Sequence, residues 1–394
     1  MKNVELLDII QDSFPIAERP YAELARMIRR ETRDERRESL SEQDVFETVE
    51  RLRASGVIRR IGGVYDSRKL GYISRLCAGK VPTSELDFSE PRGGRAPTAM
   101  ETFAAAVKKI PAITHNYIRS HHYNVWFTVI AESEEAVQAV VEKVKSETAL
   151  QDVHVLASKH MFKINTVMKS AAPTVGSRLL KVDSDAPTSG VSQSTMGSLV
   201  PHTSHLEARR ATSYLIPDTD KLRIRLLSGD IPHTLTPFTD LCGACGCELQ
   251  DLLDGALGDL SSKRMRRFGA ILRHQEAGFA HNAMVCFGID EWREARDERE
   301  IANGGESRVA GVGEVLATNP HVSHCYERAP FEGFPYNVYA MFHASSAEEL
   351  DSFIADAVRS IAPAQSGNAS FALDYAVLRS LRELKKTSFK YFSA

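Results

Sequence analysis

The chain has 394 residues, 43% hydrophobic and 26% charged, the composition of a globular protein long enough for two or more domains. A formal net charge of −3 and a pI near 6.5 argue against a generic nucleic-acid binder, which would be basic, but allow a local basic pocket. No run of about 18 apolar residues occurs, the first residues carry acids where a signal peptide needs an apolar core, and six cysteines are too few for a disulfide scaffold. A reducing cytoplasm is therefore expected.

Helical spacing opens the chain, with Leu6, Leu7, Ile9 and Ile10 on one face. Phe14-Pro15 breaks it, and Leu24, Ala25 and Ile28 form a second face. After a charged segment, Ser41-Glu-Gln-Asp supplies an N-cap and a capping-box acid ahead of Val45, Val49 and Leu52. Gly56 ends that helix, and residues 57–65 read as a strand broken by Gly62-Gly63. Three short helices and a small β wing predict a winged helix-turn-helix over residues 1–65. Residues 66–170 then alternate as strand, helix, strand, strand, helix, strand, with a Pro/Gly-rich loop at 82–98. That order predicts a ferredoxin-like α+β domain.

Residues 171–204 are dominated by Ser, Thr, Pro and Gly and read as a linker. The pattern then restarts. Arg266-Arg-Phe-Gly-Ala-Ile-Leu-Arg-His repeats Arg59-Arg-Ile-Gly-Gly-Val-Tyr-Asp-Ser, and Lys386-Thr-Ser-Phe-Lys resembles Lys159-His-Met-Phe-Lys. The expected fold class is α+β, a tandem duplication: a second winged helix-turn-helix over 205–272 and a second ferredoxin-like domain over 273–394.

DNA reading is disfavoured. The helix that would enter a groove carries Glu42, Asp44, Glu47 and Glu50, and its counterpart carries Glu248, Asp251, Asp254 and Asp259. The polar clusters beside the strands are more informative. Arg59-Arg60 and Arg266-Arg267 suit carboxylates through their planar forks. His115 and Arg119 are repeated as His324 and Arg328, whereas His121 and His122 have no counterpart because Phe331-Glu-Gly-Phe-Pro intervenes. His274 stands where the first half has Ser67. Histidines near neutral pH can give or take protons. Tyr117, Tyr123, Trp126, Tyr326, Tyr336 and Tyr339 are candidates for a flat aromatic wall. Cys242-Gly-Ala-Cys-Gly-Cys247 has metal-like spacing, but no second pair follows it, and small residues fit a helix-turn-helix turn; no metal site is expected. P-loop, dinucleotide-binding, zincin and nucleophile-elbow motifs are lacking.

A winged helix followed by a ferredoxin-like domain resembles the Lrp/AsnC regulators. More specifically, Arg-Pro-Tyr-Ala-Glu-Leu (19–24), Gly-Val-Ile-Arg-Arg-Ile-Gly (56–62), Asp-Ser-Arg-Lys-Leu-Gly-Tyr (66–72), Thr-His-Asn-Tyr-Ile-Arg (114–119), Tyr-Asn-Val-Trp-Phe-Thr (123–128) and Leu-Lys-Lys-Thr-Ser-Phe-Lys-Tyr-Phe (384–392) resemble the siroheme decarboxylases. The resemblance implies two related subunits fused head to tail, a pseudo-heterodimer in one chain, with further self-association left open. It implies removal of two acetate carboxyls of siroheme, on rings C and D (C12 and C18), giving 12,18-didecarboxysiroheme on a route to haem or haem d1. Catalytic histidines would be His115 and His122, then His274 and His324. Substrate would be held by Arg59, Arg60, Arg119, Arg266, Arg267 and Arg328, with His121, Tyr123, Trp126 and Tyr336. No cofactor beyond the substrate's own iron, no nucleic acid and no membrane partner are implied. A tetrapyrrole-sensing regulator of Lrp/AsnC type is the alternative.

Overall fold

The computed structural model describes residues 3–31, 40–82, 98–148, 150, 152–164, 216–273, 280–289, 308–361 and 373–392. The expected linker, most of the 82–98 loop and His274 lie outside them. In chain order the first half gives α1 (Asn3–Asp12), α2 (Pro20–Glu31), α3 (Glu42–Ala54), β1 (Ile58–Tyr65), β2 (Ile73–Gly79), α4 (Ala99–Lys109), β3 (Ile113–Arg119), β4 (Val125–Ala131), α5 (Glu134–Thr148), β5 (Val153–Leu156) and β6 (Ser158–Ile164). The second gives α6 (Asp218–Leu227), α7 (Pro237–Cys245), α8 (Leu249–Ser261), β7 (Met265–Leu272), β8 (His281–Gly288), α9 (Arg308–Thr318), β9 (Val322–Arg328), β10 (Val338–Ala344), α10 (Ala347–Ile361) and β11 (Asp374–Lys386).

Local sequence explains the boundaries. Ser41 Oγ accepts the Asp44 N–H at 3.2 Å while the Asp44 carboxylate accepts the Ser41 N–H at 2.9 Å, so the expected capping box starts α3. The two wing strands depart from the expectation of one wing per half. β1 and β7 pair antiparallel with each other, and Gly62 faces Gly269 across the ribbon. Those glycines hold the same place in the repeated segment, so a pseudo-twofold axis passes between them. Lack of a Cβ is required there, because one on Gly62 would clash with the Gly229 carbonyl and one on Gly269 would sit 2.6 Å from the Ile10 carbonyl. Each wing strand thus seats the end of the other half's first helix.

Among the described residues the remaining strands form one sheet in the order β5-β2-β4-β3-β11-β8-β10-β9-β6. Only Ala157 separates β5 from β6, so the two ends of that order join and the sheet closes like a barrel. β11 pairs first with β8 and then with β3, and the β5–β6 run does the same between β2 and β9. In this register Ser380 faces Arg119 as Ser158 faces Arg328, and Lys386 faces His115 as Ile164 faces His324. Lys386 is therefore the counterpart of Ile164, and the local resemblance to Lys159 is out of register. Which face each strand buries outweighs a match over five residues.

Outside the closed sheet, Phe103, Val107, Val137 and Val141 of α4 and α5 pack on Phe127 and Val129. Val312, Leu316, Leu350 and Ile354 of α9 and α10 do the same on Phe287 and Phe342. The helices preceding each wing share one core across the halves, in which Leu6, Phe14, Tyr21 and Val49 join Leu227, Phe238, Leu253 and Phe268. No described helix is long and apolar enough to cross a membrane. Arg53, near the end of α3, is held by Asp230 at 2.9 Å and Glu50 at 3.2 Å, so it is not presented to a phosphate backbone.

Candidate functional site

With helices on its outer face, the closed sheet turns its other face inward, toward the β1–β7 ribbon. Between them lies a cavity of about 620 Å³ built from both halves. Strand alternation explains its lining. β3 contributes His115, Tyr117 and Arg119, and β9 contributes His324, Tyr326 and Arg328. Trp126, Thr128 and Ile130 come from β4; Tyr339, Met341 and His343 come from β10. The ribbon adds Arg59, Arg60, Arg266 and Arg267, and the C-terminal segment adds Lys386, Phe389 and Tyr391.

Eight arginines and two lysines line this space, and no described lining residue is Asp or Glu. In a chain of net charge −3 that segregation is specific to the cavity. Some of the cations are neutralised from behind: Arg266 lies 3.4 Å and Arg68 2.9 Å from Asp66. Arg119 and Arg328 are not. Arg119 donates to the Leu378 carbonyl and to Ser380 Oγ, both at 3.1 Å, and its Nε has no partner among the described residues. Arg328 repeats this, donating to the Leu156 carbonyl at 2.8 Å with its Nε again unmatched. Arg60 donates to the Gly229 carbonyl at 2.9 Å, and Arg59 to the Lys386 carbonyl at 2.9 Å. Burial pulls Arg119 down to about 10, Arg60 to about 9 and Lys386 to about 8. A buried guanidinium served only by neutral acceptors is costly to the protein and receptive to an anion.

Among the described residues, three histidines share the cavity. Burial, with Lys386 and Arg59 nearby, lowers His115 to about 3; burial, with Arg266 and Lys386, lowers His324 to about 4. His343 falls to about 3 by burial and the proximity of His324, Lys386 and Arg119. His115 Nδ1 lies 2.9 Å from Thr114 Oγ1, and His324 Nδ1 lies 2.8 Å from Ser323 Oγ.

Of the residues singled out in the sequence, His115, His324, the six paired or repeated arginines and Trp126 line the cavity. His121, His122, Tyr123 and Tyr336 do not. β3 ends at Arg119, so the following turn carries His121 to Phe334, with ring centroids 5.2 Å apart, and leaves His122 exposed. Tyr123 packs edge-on against Phe331 and Phe334, and Tyr336 against Phe334. The 331–335 insertion thus forms an aromatic plug for the sheet interior rather than a cavity wall. His343 and Lys386 were missed. Both alternate inward with recognised residues, but their counterparts Ile130 and Ile164 are apolar, so comparing the halves gave no signal. The three thiols of 242–247 touch at the α7–α8 turn, with Cys242 and Cys247 sulfurs 2.9 Å apart, and none lines the cavity.

Comparison with known proteins follows the same division. A family model described as an AsnC-like ligand binding domain matches residues 95–163 and 300–385, and one described as a siroheme decarboxylase NirDL-like HTH domain matches residues 4–34. A siroheme decarboxylase of Hydrogenobacter thermophilus is 28% identical over 394 residues, covering 99% of this chain and 94% of the relative. The alpha subunit of a Desulfovibrio desulfuricans siroheme decarboxylase is 40% identical over 160 residues, 41% of this chain and 78% of that subunit. The crystal structure of the siroheme decarboxylase NirDL superposes with a TM-score of 0.58 at 25% identity, covering 100% of this chain and 95% of that one. Matched in part by a separate subunit and along its whole length by a single-chain relative, the chain belongs to the siroheme decarboxylase family.

Proposed function

We propose that this chain is an enzyme that decarboxylates siroheme within the cavity shared by its two halves. The observation that carries the reading is the lining itself: ten Arg and Lys side chains and no described carboxylate, around a wall of Trp126, Tyr117, Tyr326 and Tyr339. Cations and flat aromatic faces suit a planar macrocycle edged with carboxylates. The family membership names siroheme as that macrocycle.

On this reading Arg119 and Arg328, on opposite sides of the pseudo-axis, hold carboxylates that are not lost, and the ribbon arginines hold others. Two acetate groups, on rings C and D, each lose carbon dioxide and become methyl groups, giving didecarboxysiroheme. The carbon–carbon bond breaks with its electron pair spread into the macrocycle, so the substrate supplies its own electron sink. A cavity histidine then protonates the methylene carbon. The candidates are His115 and His324; His122, exposed on the turn after β3, is not among them.

Anaerobic incubation with siroheme tests the proposal. Mass spectrometry is expected to find product lighter by two carbon dioxide units. Tight binding with the ligand unchanged would instead support the sensor alternative.

A further inference from the structure

The pseudo-twofold axis makes β4 and β10 equivalent, as Val-Trp-Phe-Thr-Val-Ile-Ala and Val-Tyr-Ala-Met-Phe-His-Ala. Ile130 on one strand therefore corresponds to His343 on the other, and both line the cavity. The adjoining strands carry equivalent pairs, Thr114-His115 and Ser323-His324. In the second half the pair is extended. Ser323 Oγ lies 2.8 Å from His324 Nδ1 and 2.9 Å from His343 Nε2, with the Met341 carbonyl more distant at 3.4 Å.

A hydroxyl has one proton to donate and lone pairs to accept with. Set between two imidazole nitrogens, it donates to one and accepts from the other. Reversing the roles moves protons along the chain without moving any heavy atom. The first half has isoleucine where the second imidazole would stand.

Resting on the decarboxylase reading above, we propose that His324 delivers the proton that replaces the lost carboxyl group, and that His343 is a positioning residue supplying it through Ser323. Protonated His343 donates to Ser323 Oγ, Ser323 donates to His324 Nδ1, and His324 Nε2 carries the proton to be transferred. Cleavage releases carbon dioxide and leaves the electron pair in the macrocycle. The new C–H bond takes the Nε2 proton, the Ser323 proton moves to Nδ1, and the His343 proton moves to Ser323. One proton is consumed; water returns it at His324 Nε2, and the Nδ1 and Ser323 protons step back toward His343, which restores the starting arrangement. The titratable and charged groups acting on the pair are His115 and Arg119 of β3, Arg266 of β7 and Lys386 of β11; Lys386 is itself 3.7 Å from Glu383, and the Tyr326 ring stacks beside His324. Burial first, and these basic groups second, hold the imidazoles neutral; the substrate's carboxylates offset the repulsion from the basic groups, so the extra proton arrives with the substrate.

The test is steady-state turnover of siroheme by His343→Gln, Ser323→Ala and Ser323→Thr across pH, with thermal melting of each variant. His343→Gln and Ser323→Ala are expected to lower kcat roughly 100-fold with KM within about twofold, to change the pH profile of kcat, and not to compound when combined. Ser323→Thr, which keeps the hydroxyl, is expected to restore most of the rate. Full-rate turnover by His343→Gln, or a loss confined to KM, overturns the relay while leaving the decarboxylase reading intact. No turnover by the wild type overturns both.

Discussion

Arg119 is 3% exposed and Arg328 8%, yet each rests on carbonyl oxygens and has an unmatched Nε among the described residues. Replacing such a residue with an apolar chain of similar length removes an uncompensated charge from the interior. Arg119→Met is therefore expected to melt no lower than the wild type without siroheme, and to bind siroheme at least about tenfold more weakly. Differential scanning fluorimetry and absorbance titration read the two effects, and a lower melting temperature with unchanged affinity would show a purely structural role. The histidines make a separate prediction. His115, His324 and His343 titrate near 3 to 4 when folded but near 6.5 when unfolded. Between those values the unfolded chain binds more protons, so stability is full above about pH 6.5 and falls as pH drops through that range toward about 3 to 4. Urea midpoints should decline over that window, and His115→Gln should flatten the decline. A midpoint independent of pH there would mean that the imidazoles are not held neutral. The arginines were legible because the repeat displays each of them twice. His343 and Lys386 were not, because their value lies in differing from Ile130 and Ile164.

At the scale of elements, the ribbon of β1 and β7 does two jobs. It floors the cavity with four arginines, and it receives the ends of α1 and α6, each against the other half's strand. Phe14 N–H donates to the Phe268 carbonyl at 2.8 Å, and Ile231 N–H to the Ile61 carbonyl at 3.0 Å, which fixes that seating. Gly62→Ala or Gly269→Ala forces a methyl group into the carbonyls of the seated helix end. Each is expected to destabilise by about 1–3 kcal/mol in urea unfolding and to weaken siroheme binding through the displaced Arg60 or Arg267. A variant as stable as the wild type would mean that the ribbon yields without cost. Element types along the chain could be read from apolar period and capping residues, as the α3 capping box illustrates. Pairing partners could not. A strand's sequence records which face is buried, and β1 buries the same face whether it pairs locally or with β7.

For the whole molecule, the duplication was legible but its consequence was not: neither half closes alone. β6 completes the second half's sheet against β9, β11 completes the first half's against β3, and among the described residues the two wing strands pair only with each other. A separated half would expose these edges, which are templates for aggregation. The shared cavity carries the same dependence, since Arg119 needs the Leu378 carbonyl and Arg328 needs that of Leu156. Residues 1–170 produced alone are therefore expected to aggregate or to pair with a second copy. Co-produced with residues 205–394, they should instead form a one-to-one complex, lighter than the 43.7 kDa intact chain only by the absent residues 171–204. That complex should bind siroheme within a few fold of the intact protein, because what links the halves in space is strand pairing rather than chain continuity. Sedimentation velocity together with absorbance titration measures both properties. A monomeric 1–170 fragment that unfolds cooperatively and binds siroheme by itself would show that the two halves are independent domains, and that the shared-cavity account of the site is wrong.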